Sequence, residues 1–264
     1  MYPVLIAALR HGRTRWNDEY DDAKLSGNWS GLTPDETRYD LSGLGLWQAD
    51  MANEYFENEK FHFDLFFTSD LPRAMRTASR IAVTDGRWYV TDELREQNFG
   101  YFDLAKVATG EIEMDEHNTR LMALQNGGSH GIDHKPLGGE SEIDMKQRIN
   151  DLVQSLKYDF PNDRVLLVSS ENTLWSLRRR IFRWPEFEYQ RYRAMSENQI
   201  DNCGIDFYSR EDPESGKLHE SLAFHRYVNP WDENRSTLWQ PIIRPTYDSA
   251  QLISICAEML SESH

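Results

Sequence analysis

Cysteine is scarce. The 264 residues contain two, Cys203 and Cys256, and they do not form a CxxC pair. Two thiols exclude a disulfide-stapled scaffold and fit a reducing compartment, so the chain is expected in the cytoplasm. Long apolar runs are also missing: none approaches the ~20 residues needed to span a bilayer. The first such run, residues 4–9, has no basic residues ahead of it and stops at Arg10. It is expected to be a buried strand rather than a signal peptide. Positive charge is in deficit, with 29 Lys and Arg against 44 Asp and Glu, for a formal net charge of -15. A surface this acidic repels nucleic acid and anionic membranes, which excludes both as default partners. An anionic ligand would therefore need a locally basic pocket.

What is present reads as an α/β protein. Residues 4–9, 64–68, 88–91 and 164–169 are short apolar segments suited to central parallel strands, and residues 204–208 and 222–227 form a closing pair. Between them lie helical spacings. Residues 42–57 place Leu44, Trp47, Met51 and Tyr55 on one face. Residues 71–83 carry Ala74, Ala78, Ile81 and Ala82. Residues 140–156 carry Ile143, Ile149, Leu152 and Val153, and further helices are expected over 111–125, 173–183 and 247–262. Strands alternating with helices predict three layers: a mostly parallel sheet with helices on both faces, and ligands beyond the carboxyl ends of the strands.

Arg10-His11-Gly12 follows the first strand directly, at that ligand-binding end. An imidazole there can attack phosphorus while the arginine balances charge on the equatorial oxygens. A glycine lets backbone approach an oxyanion. A lone histidine at a strand end is more often structural, so the tripeptide alone decides little. The weaker signals have ordinary explanations. His130 and His134 lie in a glycine-rich segment without further metal ligands. Arg178, Arg179, Arg180 and Arg183 sit near a helix end, where basic side chains complement the dipole. Arg13 and Arg15 either pair with Asp18 or Glu19 or meet a second anionic group on a ligand.

The segment Leu9-Arg10-His11-Gly12-Arg13-Thr14-Arg15-Trp16-Asn17 resembles the signature of the histidine phosphatase (phosphoglycerate mutase-like) superfamily. Later blocks resemble the same family in the same order: Asp40-Leu41-Ser42 with Gly45 and Gln48, residues 69–78 around Arg73, Leu94-Arg95-Glu96, Gly139-Glu140-Ser141, residues 165–177, and Asn202-Cys203-Gly204. The resemblance implies His11 as nucleophile, Arg10 and Arg73 as phosphate clamps, and Glu96 as general acid and later base. It implies Thr14, Asn17 and Ser170 at the phosphate pocket, no metal and no cofactor, and a small phosphorylated substrate. One domain over 1–264 is expected, with a lid or insert at 100–136 and a C-terminal extension at 230–264. Residues 127–134 are expected to close over bound ligand.

This sequence departs from the family where the second active-site histidine belongs. It reads Ser169-Ser170-Glu171-Asn172, so Ser170 takes the histidine's place and Glu171 that of a glycine. Serine donates one hydrogen bond and carries no charge. Loss of one preorganised donor costs roughly 10²–10³ in rate. Two readings stay open: a phosphatase impaired at Ser170 that works through phosphohistidine, and a pseudophosphatase that binds a phosphorylated ligand or protein without turnover.

Overall fold

The apolar segments of the sequence become the middle of one sheet. The computed structural model describes residues 1–26, 39–82, 86–99, 135 and 138–261. Seven strands among them are ordered β3-β2-β4-β1-β5-β6-β7. β1 (Leu5–Arg10), β2 (Leu65–Ser69), β3 (Trp88–Thr91) and β4 (Arg164–Ser169) pair in parallel. β5 (Ile205–Ser209), β6 (Phe224–Val228) and β7 (Gln240–Pro241) continue the sheet antiparallel. β6 runs in the direction of the parallel set, so most of the sheet shares one direction, as the sequence pattern predicts.

The described helices are α1 (Arg15–Ser26), α2 (Gly43–Asn58), α3 (Pro72–Ala78), α4 (Glu142–Asp159), α5 (Glu171–Phe182), α6 (Glu186–Ala194) and α7 (Ser249–Ser261). They cover both faces. Strand side chains alternate, so β1 sends Ile6 and Ala8 into one core and Leu5, Ala7 and Leu9 into another. The first core is filled by Ile149, Leu152 and Val153 of α4 and Leu174 and Trp175 of α5. The second is filled by Ala49, Ala52 and Phe56 of α2 and Ala74 and Ala78 of α3.

Several expectations need correction. α2 does not bury the stripe read from its large residues: Leu44 and Trp47 are 48% and 47% exposed. The helix is turned by about one residue and buries Gly45, Gln48, Ala49, Ala52 and Phe56. Small residues win because this helix lies against backbone. A Cβ on Gly45 would stand 1.9 Å from the Arg13 carbonyl oxygen, and one on Gly12 would stand 2.4 Å from the Gly45 carbonyl oxygen. In α4, Ile143 is exposed, and Met145 and Leu156 join the core in its place. α3 stops at Ala78, and α6 lies in a stretch where no element is expected from the apolar pattern. Arg179 and Arg180 do sit in the last turn of α5, as expected, but the run is more than a complement to the helix dipole at Arg178 and Arg179. Both are buried, Arg178 bonding Asp206 at 3.0 and 2.9 Å and Arg179 pairing with Glu186 at 2.7 Å.

The segment after residue 230 is tied to the body by Trp231 Nε1, which donates to the Asn202 carbonyl at 2.7 Å, and by the β6–β7 pairing. α7 leaves Leu252, Ile253, Met259 and Leu260 exposed. The helix expected over 111–125, the closing segment 127–134 and both His130 and His134 lie outside the described residues.

The Gly12–Gly45 contact sets a stability test. Gly45→Ala is expected to cost at least ~2 kcal/mol, as overpacking against backbone does. Gly43→Ala, at a position with nothing within 4 Å, is expected to be neutral or stabilising by up to ~1 kcal/mol. Urea unfolding of the two variants measures both. Equal effects would contradict the close approach.

Candidate active site

β2, β4 and β1 are neighbours and end at one level, and each hands a side chain to the same place. Backbone contacts fix the junction after β1. His11 N–H donates to the Ser169 carbonyl at 2.8 Å, Arg10 N–H to the Gly204 carbonyl at 3.0 Å, and Asn202 Nδ2 to the His11 carbonyl at 3.0 Å. Gly12 N–H donates to Thr77 Oγ1 at 3.0 Å, and that hydroxyl donates to the Arg73 carbonyl at 2.8 Å. The loop that carries His11 is thereby coupled to the helix that carries Arg73.

The His11 ring is buried, with Nδ1 2.8 Å from the Gly12 carbonyl oxygen. A carbonyl only accepts, so Nδ1 carries the proton and Nε2 keeps its lone pair. Burial, then the charges of Arg73 and Arg10, push the imidazole well below the ordinary histidine range, although the Gly12 bond opposes them. The ring is therefore a neutral base near neutral pH. Arg73 is buried in the first turn of α3, where Pro72 starts the helix.

Glu96 follows a short 3₁₀ turn, Asp92–Leu94, beyond β3. Its carboxylate accepts from its neighbour Gln97 N–H at 2.8 Å and from Asn172 N–H at 3.3 Å, in the first turn of α5. Burial raises its pKa, and Glu171 adds to the rise; Arg73 and the two N–H groups act against them. Three contacts hold this turn in place. Ser169 Oγ donates to the Leu94 carbonyl at 2.6 Å, Thr173 Oγ1 to the Arg95 carbonyl at 2.5 Å, and Arg148 Nη1 to the Glu93 carbonyl at 2.5 Å.

Ser170 is fully buried at the N-cap of α5, and its Oγ has no hydrogen-bond partner among the described residues. Leaving a buried hydroxyl unpaired costs about 1–3 kcal/mol. Arg10 Nε is a second buried polar atom without a partner there. Two orphaned donors at one cluster suit a ligand rich in acceptor oxygens. Glu171 points inward: its carboxylate lies 2.8 Å from Arg10 Nη2.

Thr14 and Asn17 are placed differently from the rest. Thr14 N–H and Oγ1 bond Asn17 Oδ1 at 3.0 and 2.9 Å, and Asn17 N–H returns to Thr14 Oγ1 at 3.1 Å. They cap α1 reciprocally, and no described hydrogen bond joins them to Arg10, His11 or Arg73. Arg13 takes the structural alternative, bonding Asp18 and Asp21 at 2.5 Å each. Sequence reasoning assigns no role to Thr77, Asn202 or Arg148, because a backbone-directed side chain leaves no pattern. No group of three or more His, Cys, Asp or Glu suited to a metal occurs among the described residues. No described helix is long and apolar enough to cross a membrane.

A neutral imidazole, two arginines and a buried carboxyl group near the ends of parallel strands are groups that can hold an oxyanion and support nucleophilic chemistry on it. The chain belongs to the histidine phosphatase superfamily (branch 1), whose family model matches residues 6–212. A 2,3-bisphosphoglycerate-dependent phosphoglycerate mutase from Porphyromonas gingivalis is 33% identical over 116 residues, 42% of this chain and 42% of that protein. This chain thus spans less than half the length of that relative. The alpha-ribazole phosphatase of Shigella flexneri shares the fold, with a TM-score of 0.59 at 21% identity over 83% of this chain and 96% of that one. A mycobacterial glucosyl-3-phosphoglycerate phosphatase in complex with VO3 has a TM-score of 0.57 at 25% identity, covering 78% of this chain and 92% of its own.

Inorganic phosphate is expected to bind at Arg10, His11 and Arg73. Arg73→Ala should weaken it by roughly 10- to 100-fold, the scale of one lost charge-assisted hydrogen bond. Calorimetric titration of the folded variant reads this. Unchanged affinity would place the anion elsewhere.

Proposed function

We propose that the protein is a phosphatase that hydrolyses a small phosphomonoester through a phosphohistidine formed on His11. The observation that carries this reading is the His11 ring, tied by Nδ1–H to the Gly12 carbonyl so that Nε2 keeps its lone pair beside two arginines. In the first step Nε2 attacks phosphorus and the ester P–O bond breaks. Glu96, whose raised pKa favours the acid form, gives its proton to the leaving oxygen. Arg10 and Arg73 balance the charge on the non-bridging oxygens, and Ser170 supplies one hydrogen bond. In the second step Glu96, now a carboxylate, takes a proton from water as the water oxygen attacks phosphorus. The P–N bond breaks, inorganic phosphate leaves and His11 is restored.

Phosphatases among the solved likenesses support water, rather than a second substrate hydroxyl, as the acceptor. The reaction runs entirely on these side chains, and its setting is the cytoplasm. One observation favours the alternative of a binder without turnover: Glu171 already holds the arginine that the phosphate needs.

The pH dependence separates the two. Attack requires neutral His11, which is lost as pH falls through its lowered pKa. Leaving-group protonation requires protonated Glu96, which is lost as pH rises through its raised pKa. For an alkyl phosphate, kcat/KM is therefore expected to be bell-shaped, with His11 on the acid limb and Glu96 on the alkaline limb. Glu96→Gln should abolish the alkaline limb and slow turnover by about 10²–10⁴-fold, and His11→Ala should remove turnover. A folded wild-type protein that hydrolyses no phosphomonoester would leave binding as the function.

A further inference from the structure

Glu171 and a phosphate group compete for one edge of the Arg10 guanidinium. Nη1 is committed elsewhere, donating to the Ile200 carbonyl at 2.5 Å. Nε and Nη2 form the edge whose two parallel N–H bonds take an oxyanion bidentately. Nη2 lies 2.8 Å from Glu171 Oε2, while Nε is buried and has no partner among the described residues. The carboxylate therefore lies beside one nitrogen of that fork, and an oxyanion that engages both nitrogens competes with it for Nη2.

Charge decides what happens next. Among the described residues, the charged groups of this cluster are Arg10, Arg73, Glu96 and Glu171. With both carboxylates ionised, these four sum to zero before a dianion enters. Even with Glu96 protonated, the incoming phosphate leaves an excess of negative charge. No histidine at position 170 offsets it, because Ser170 is neutral. The displaced Glu171 needs a cation. One protein candidate is Arg193, whose charge interacts with Glu171 and also with Glu142. Its Nη1 already donates to Tyr189 Oη at 2.9 Å and its Nη2 to Asn172 Oδ1. The Glu171 side chain is also 30% exposed, so its carboxylate is not sealed inside the protein.

We propose that Glu171 selects the substrate by charge: a phosphate that takes the Nε–Nη2 edge of Arg10 releases the carboxylate to a cationic group carried by the same molecule. The favoured class is a phosphomonoester with a primary ammonium a few bonds from its phosphate, and phosphorylated carboxylic acids are disfavoured. The inference rests on the phosphomonoesterase reading and deepens it. The glutamate next to Ser170 is then a specificity device, and its negative charge is useful because the substrate brings the balancing positive charge.

Binding of non-hydrolysable phosphonates tests this without requiring turnover. Wild-type protein and Glu171→Gln are titrated calorimetrically with 2-aminoethylphosphonate, propylphosphonate and phosphonoacetate, and circular dichroism confirms that the variant is folded. Wild type is expected to bind the amine about 10-fold more tightly than the neutral compound, and the carboxylate more weakly than either. In Glu171→Gln the advantage of the amine should shrink below about 3-fold while phosphonoacetate gains. A wild type indifferent to the amine overturns the proposal on its own, whatever the variant does, and would mean that Arg193 receives the displaced carboxylate. Equal tightening of all three ligands in the variant also overturns it, since Glu171 would then be a plain competitor. Hydrolysis of O-phosphoethanolamine, measured in parallel, keeps the two readings apart. Amine-selective binding without hydrolysis supports the selection and contradicts the hydrolase, whereas hydrolysis with charge-blind binding contradicts the selection alone.

Discussion

Gly12 is the joint between β1, the His11 ring and the helix that carries Arg73. Its carbonyl holds the His11 ring, its N–H binds Thr77 in the helix of Arg73, and its bare Cα lies against Gly45 of α2. Any side chain there would push α2 off the sheet and carry the His11 loop with it. The His11 tautomer, the spacing between His11 and Arg73, and the seating of α2 are therefore one constraint. The small residues of α2 follow from it. Ala49 and Ala52 let the helix come as close to the sheet as Gly45 requires.

Electrostatics form the second layer. In a chain with net charge -15, a basic pocket survives only where arginines are buried and other carboxylates are already matched. Asp206 illustrates the matching. Burial alone would raise its pKa, but Arg178 and the bond from His225 at 2.7 Å hold it down to about 2. Arg148 binds Glu140 through two contacts, at 2.9 and 2.8 Å. Arg10 differs because its carboxylate partner, Glu171, sits on the edge that an oxyanion would use. The same burial acts in opposite directions on the two titrating groups of the site, lowering His11 and raising Glu96. Burial thus favours the uncharged form of both groups.

Much of this was legible in the sequence, for physical reasons. β4 is buried on both faces and falls where its continuous apolar run puts it; the exposed edge strand β3 also falls where expected, and β1 and β2 differ by about one residue. The ordered blocks of family resemblance brought His11, Arg10, Arg73 and Glu96 forward before any geometry. The failures share one cause: a single sequence does not show what an element packs against. The stripe of Leu44 and Trp47 marks a face of α2 but not the face that meets backbone. Arg178 reads as part of a basic run until Asp206, 28 positions later, is seen beneath it. α6 is mostly polar and was silent. Glu171 was legible as a departure, and its direction toward Arg10 was not.

The account stands on covalent chemistry at His11, and the intermediate itself is the direct measure. Protein mixed with a rapidly hydrolysed phosphomonoester is quenched in alkali within one turnover, where phosphohistidine survives, and the peptides are read by mass spectrometry. The account predicts one phosphoryl group on the peptide containing His11, lost on acid treatment and absent from His11→Ala. Rapid phosphate release with no label on His11, or a label elsewhere on a variant that still turns over, would contradict it.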